Sequence, residues 1–221
     1  MNIHILTHDQ VIYATAILVL LTIGSASLAQ KVDDIFGVHR RLSIVSVHLA
    51  ILALLALVAI CSHRISGILP HSGRNFILLC IAGIMLGSVA VRADRFVLQI
   101  TLGTGNFLAP RSLSWSALLM SATVAFLEEL MFRGYLVQLC LSIPFLLLSG
   151  MALLFSALLF AITHIYYGYE QVLAKLPLSI LALLSVLTTH TLLAAIVAHV
   201  VFNLRSTDAS ILSSTRNPQL S

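Results

Sequence analysis

Charge is scarce in this sequence. Of its 221 residues, 9% are Asp, Glu, Lys or Arg and 59% are hydrophobic. A soluble domain devotes about a quarter of its residues to charge, because its outer surface has to be wetted. Twelve Lys/Arg and eight Asp/Glu cannot cover a globule of this length. That excludes a soluble enzyme, a disordered region and a nucleic-acid module in which basic residues do the binding. Strict alternation of apolar and polar residues is also missing, and with it the signature of a transmembrane barrel. Cysteine is sparse as well: Cys61, Cys80 and Cys140 sit in or beside apolar runs, are odd in number and form no CxxC pair. Buried free thiols are the expected reading. Basic clusters are absent too. The pI near 9.3 arises from residues scattered singly between apolar runs, as expected of short loops at an anionic membrane surface.

What the sequence does contain is a series of continuous apolar runs. A transmembrane helix needs about 20 largely apolar residues to cross a hydrocarbon core of about 30 Å. Runs at 11–29, 43–61 and 76–91 are separated by polar stretches at 31–41, 62–75 and 92–111. The first has no basic segment before it and no cleavage pattern after it, so a retained span is expected. Residues 114–139 read as one long helix that ends near Pro144, because proline is poorly tolerated inside a helix. A further span follows at 145–164, then interfacial tyrosines at 166–169, then two shorter apolar stretches at 172–187 and 191–204. The expectation is an all-α, polytopic membrane protein with about seven transmembrane helices (six to eight). N-terminal helices occupy 1–112, a second helical unit 113–205 and a tail 206–221. With seven spans and the N-terminus outside, the inner side carries Lys31, Arg40, Arg41, Arg92, Arg95, Arg111, Lys175, Arg205 and Arg216. The outer side carries Arg64 and Arg74, which favours an N-out, C-in arrangement.

Position then matters more than number. Asp9, Asp33, Asp34, Asp94, Glu170 and Asp208 read as loop or tail residues, leaving Glu128 and Glu129 within an apolar segment. A carboxylate near mid-bilayer costs about 3 kcal/mol on insertion scales. Arg133 is four residues after Glu129, on the same helix face, and can pair with it. Glu128 points about 100° away and has no local counter-ion. His164 closes the 145–164 run, and His199 and Asn203 are one turn apart in the last apolar stretch. Polar groups in lipid converge on one another rather than face acyl chains, so a shared internal site is expected. Carboxylate, imidazole and carboxamide together supply a general base and hydrogen-bond donors, the set required for attack of water on a carbonyl. Zinc is possible but not favoured: two His and a Glu can hold it, yet no HExxH is present. No GxSxG supports a serine mechanism. His48, within the second run, is read as a packing residue and His190 as an interfacial one.

Three motifs carry a resemblance. The segment from Glu128 to Gly134 resembles the EExxxRG motif of the CAAX protease and bacteriocin-processing (CPBP) family, the glutamic-type intramembrane endopeptidases that include the Rce1-like enzymes. Phe160 to His164 matches the family's FxxxH and His199 to Asn203 its HxxxN, with 35 residues from Glu129 to His164 and 35 from His164 to His199. The resemblance covers roughly 113–205; residues 1–112 carry no recognised motif. It implies Glu128 as the base that activates water, assisted by His164, with His199 and Asn203 holding the oxyanion and Glu129 and Arg133 shaping the site. It also implies no obligatory metal or other cofactor. The expected function is hydrolysis of a peptide bond in a membrane-associated protein or peptide, with the lipid bilayer as the other partner, no nucleic acid and no defined oligomeric state. A non-catalytic scaffold or immunity protein of the same family is the alternative. A proton-coupled transporter is the more distant one, since the internal repeat common in transporters is missing. Compact loops lean towards a prokaryotic plasma membrane.

Overall fold

Every regular element among the described residues is helical. The computed structural model describes residues 47–54, 73–102 and 115–206, together with residues 13, 16, 17, 20 and 57. The runs at 11–29 and 55–61 lie almost wholly outside the described residues, and the 206–221 tail does so from 207. After a helical segment at 47–54, helix α1 spans Gly73–Leu102 and α2 spans Trp115–Glu129. A π-helical segment, Leu130–Leu136, continues α2 into the short α3, Val137–Leu141. Helix α4 spans Leu146–Ile162, a 3-10 turn covers Ile165–Tyr167, α5 spans Tyr169–Thr189 and α6 spans Leu193–Ser206.

Residues 115–141 therefore form a continuous helical rod that stops before Pro144, as the sequence suggested. The π segment is the departure, and it wraps the turn that carries Arg133 and Gly134. Glycine at 168, with φ 112°, ends the 3-10 turn and lets α5 begin. His190 closes α5 in a left-handed conformation, its N–H donating to the Val186 carbonyl.

Two expectations need correcting. The run at 76–91 is the centre of a longer helix that continues through Arg92, Asp94 and Arg95. Asp94 is therefore not a loop residue but a buried one, and its Oδ1 lies 3.5 Å from Lys175 Nζ. Lys175 in turn is not in a loop: it is buried in α5, with Nζ 4.1 Å from the centre of the Phe202 ring. It drops out of the loop charges that set orientation.

Helices α1 and α6 form the broadest interface, and α1 also lies along α5. Gly83 and Gly87, four apart, let α1 approach α6 closely. A Cβ at Gly83 would meet the Ala194 carbonyl at 2.7 Å, and one at Gly87 the Ala198 carbonyl at 2.5 Å. This is the small-residue packing by which membrane helices come together. The central core joins Ile51 and Leu52 of the 47–54 segment to Ala90, Val91, Met131, Phe132, Phe160, Leu178 and Phe202.

The outer surface is apolar. Leu146, Leu147, Leu154 and Ile100 are 91%, 79%, 68% and 67% exposed, whereas Asp94, Glu128, Glu129, Arg133, Lys175 and His199 are buried. Residues 75–102 and 169–189 are long and apolar enough to cross a membrane, and α4 and α6 are apolar but shorter. Charge inside and hydrocarbon outside is the arrangement a lipid solvent favours.

Candidate active site

The paired glutamates occur where α2 gives way to the π segment, and burial there is complete enough to demand partners. Glu128 is 4% exposed and Glu129 is fully buried. Glu129 Oε1 receives Arg133 Nη1 at 3.2 Å and His199 Nδ1 at 2.8 Å. The Nη1 contact is a charge contact without hydrogen-bond alignment. Nη2 makes the aligned bonds, donating to the Ser179 carbonyl at 3.2 Å and its Oγ at 3.1 Å. Ser179 Oγ–H donates in turn to the Ala157 carbonyl at 2.7 Å. Arg133 Cζ also stands 4.1 Å from the Phe160 ring centre, a cation–π contact whose strength rises on desolvation. Arg133 thus links the rod to α4 and α5.

Glu128 faces the other way, as a residue about 100° round the helix must. Its Oε1 accepts from His48 Nε2 at 3.0 Å, and its Oε2 lies 3.4 Å from His199 Nε2. His199 therefore sits between the two carboxylates with one ring nitrogen towards each. Nδ1 donates to Glu129, since a carboxylate only accepts, and Nε2 makes the longer contact, outside hydrogen-bond geometry. Its ring packs edge-on against Phe160, with centroids 5.4 Å apart. Phe160 in turn packs edge-on against Phe132 at 5.3 Å, so aromatic walls separate the polar cluster from the exterior.

His164 follows α4, with its ring tilted against Phe160 at 5.3 Å between centroids, on the ring that also packs against His199. Its Nδ1 lies 3.2 Å from the Phe160 carbonyl and 3.1 Å from Thr163 Oγ1, which fixes the ring and leaves Nε2 as the outward nitrogen. Asn203 is on α6 one turn beyond His199 and is half-buried. The structure thus brings Glu128, Glu129, Arg133 and His199 into direct contact, sets His164 beside them and places Asn203 along the same helix.

His48 belongs in this list, although its place in an apolar run reads as a packing role. A single histidine in an apolar run is neutral enough to pass unnoticed, and its partner is 80 residues away. The signal that could have found it is Glu128's missing counterpart. No second pair matched it within its own helix, so a group elsewhere had to supply one.

Among the described residues no cluster of three His, Cys, Asp or Glu side chains has a geometry that would hold a metal ion. The nitrogens of His199 are directed at carboxylates, which leaves none aimed at a shared centre. Cys80 and Cys140 are free thiols; Cys61 lies outside the described residues.

The family comparison fits the polar cluster. Residues 110–205 match the model of the family described as type II CAAX prenyl endopeptidase Rce1-like. The matched span includes Glu128, Glu129, Arg133, His164, His199 and Asn203 but not His48. Neither the curated proteins nor the solved structures yield a match.

Proposed function

We propose, from the premise that 110–205 is an Rce1-like domain, that the chain is an intramembrane endopeptidase in which Glu128 activates water. The observation that carries this is the unequal seating of the Glu128 oxygens. Oε1 is held by His48 at 3.0 Å, while Oε2 has only the longer 3.4 Å contact with His199. Oε2 keeps accepting capacity for a water proton. A water held there by Glu128 and the outward Nε2 of His164 loses its proton to Oε2 as its oxygen attacks the scissile carbonyl. The carbonyl oxygen becomes an oxyanion, stabilised by the Asn203 amide and by the Nε2–H of His199, released from its 3.4 Å contact with Glu128 Oε2 as that oxygen takes the water proton. Protonated Glu128 then returns the proton to the departing nitrogen as the C–N bond breaks, giving a new carboxyl and a new amine. Donors already in place for the developing charge avoid reorganisation at the moment of reaction. Glu129 and Arg133 do no chemistry in this scheme; they fix His199.

The chemistry needs no metal or other cofactor. The substrate class is a membrane-associated protein or peptide. The chain sits multi-pass in a cell membrane, about seven spans in all, with its N-terminus outside and its C-terminus inside. Its compact loops fit a prokaryotic plasma membrane.

Glu128→Gln keeps size and hydrogen bonding but removes the base. It lowers cleavage by about 10²- to 10⁴-fold while the protein still inserts and accumulates. The measurement is a comparison of protein termini in membranes carrying wild type or Glu128→Gln. Termini lost in the variant are products of turnover and name the substrates. Identical termini in both would overturn the reading and favour a non-catalytic member of the family.

A further inference from the structure

We infer that His48, outside the matched domain, is a positioning residue of the active site, contributed by the N-terminal half of the chain to aim Glu128. The inference rests on the reading of Glu128 as the base. His48 Nε2 is 3.0 Å from Glu128 Oε1, the shortest contact that carboxylate makes, and the His48 side chain is only 16% exposed. The 47–54 segment is not loosely apposed: Ile51 and Leu52, three and four residues on, are 5% and 0% exposed in the core that includes Phe132, Phe160 and Phe202. That spacing puts both on the helix face that carries His48. The backbone bearing His48 is thus fixed by the same aromatic side chains that wall the glutamate site.

A glutamate has three rotatable side-chain bonds and, without an anchor, spreads its carboxylate over several positions. The local sequence supplies no anchor, since Arg133 and Ser179 are engaged on the Glu129 side. A neutral His48 bearing its proton on Nε2 donates to Oε1 and takes no proton from the reaction. Holding Oε1 selects Oε2 as the oxygen that meets water. It costs little to bury, because a neutral imidazole carries no charge into the membrane. Residues 1–112, in which no motif is recognised, then complete the catalytic geometry as well as surrounding it.

The test compares wild type, Glu128→Gln, His48→Ala and His48→Gln in proteoliposomes. The probe is a peptide spanning a terminus that wild-type membranes generate and Glu128→Gln membranes do not. His48→Ala lowers kcat by about 10- to 100-fold, the loss of one hydrogen bond to a charged group, with KM unchanged. Added imidazole restores part of it. His48→Gln, whose amide N–H reaches a similar place, recovers most of kcat, which a purely packing role would not produce. Full activity in His48→Ala beside an inactive Glu128→Gln overturns the role of His48 and leaves that of Glu128 standing. Activity in Glu128→Gln overturns the base assignment instead. A readout independent of turnover is the NMR signal of the His48 Nε2 proton in 15N-histidine-labelled protein. It moves in Glu128→Gln and stays in Glu170→Gln; a signal indifferent to Glu128→Gln overturns the contact.

Discussion

Glu129 and Arg133 are a fully buried pair whose partners reach into three other helices, so neither can be removed without stranding the other. Truncating Arg133 leaves Glu129 with His199 as its one compensating group among the described residues and frees Ser179 from its donor. Loss of one member of a buried ion pair costs about 3–5 kcal/mol. Arg133→Ala therefore lowers thermal stability in detergent by that order, and Glu129→Gln combined with Arg133→Met recovers most of it without recovering cleavage. A melting series on wild type and these two variants, read beside turnover, separates the two effects. The acids and His199 were legible in the sequence because charge in an apolar run is expensive and has to be explained. His48 was not, since a neutral ring carries no such penalty. Asp94 was misread for the opposite reason. Flanked by Arg92 and Arg95, it resembles a loop, and its partner Lys175 stands on another helix.

Among the helices, α1 and α6 depend most on close approach. Gly87→Ala puts a methyl group 2.5 Å from the Ala198 carbonyl, a backbone atom that cannot turn aside. Overpacking of this kind costs about 1–3 kcal/mol, and the displaced α6 carries His199 with it. The expected outcome is a lower melting temperature together with slower cleavage. Gly150→Ala is the contrast: nothing lies within 4 Å of the added carbon on α4, so helix propensity adds up to about 1 kcal/mol and activity is unchanged. Reversed behaviour of the two glycines in a thermal assay would refute the packing argument. Gly83 and Gly87 carried no reading in the sequence, because small residues declare closeness without naming a partner. The ends of α5 were equally hidden. Apolar periodicity stopped at 172–187, whereas the helix runs over Tyr169–Thr189, its first turn being polar enough to pass for loop.

Taken whole, the molecule does not divide where the family match begins. Helix α1 lies outside residues 110–205, yet it forms the broadest interface with α6 and supplies Asp94 to Lys175. A chain of residues 110–221 alone therefore fails to accumulate as a folded membrane protein. Co-expression with residues 1–109 restores both accumulation and cleavage, as protease resistance and turnover in the same membranes would reveal. The all-helical class and the membrane setting were legible from composition, because a shortage of charge is a property of the whole chain. The arrangement was not, since it depends on which buried groups find one another.

The π segment at Leu130–Leu136 has a consequence for heredity. A π turn holds a residue that an α-helix would not need, so the rod behaves as a helix with one letter inserted. Substituting a side chain there leaves the phase intact. Deleting a residue winds the segment back to α geometry with α2 and α3 still in phase, and shifts the turn between them, the one that seats Arg133 between Glu129 and Ser179. In this stretch the surplus residue can be lost without unmaking the rod, but not without moving the guanidinium that Glu129 needs.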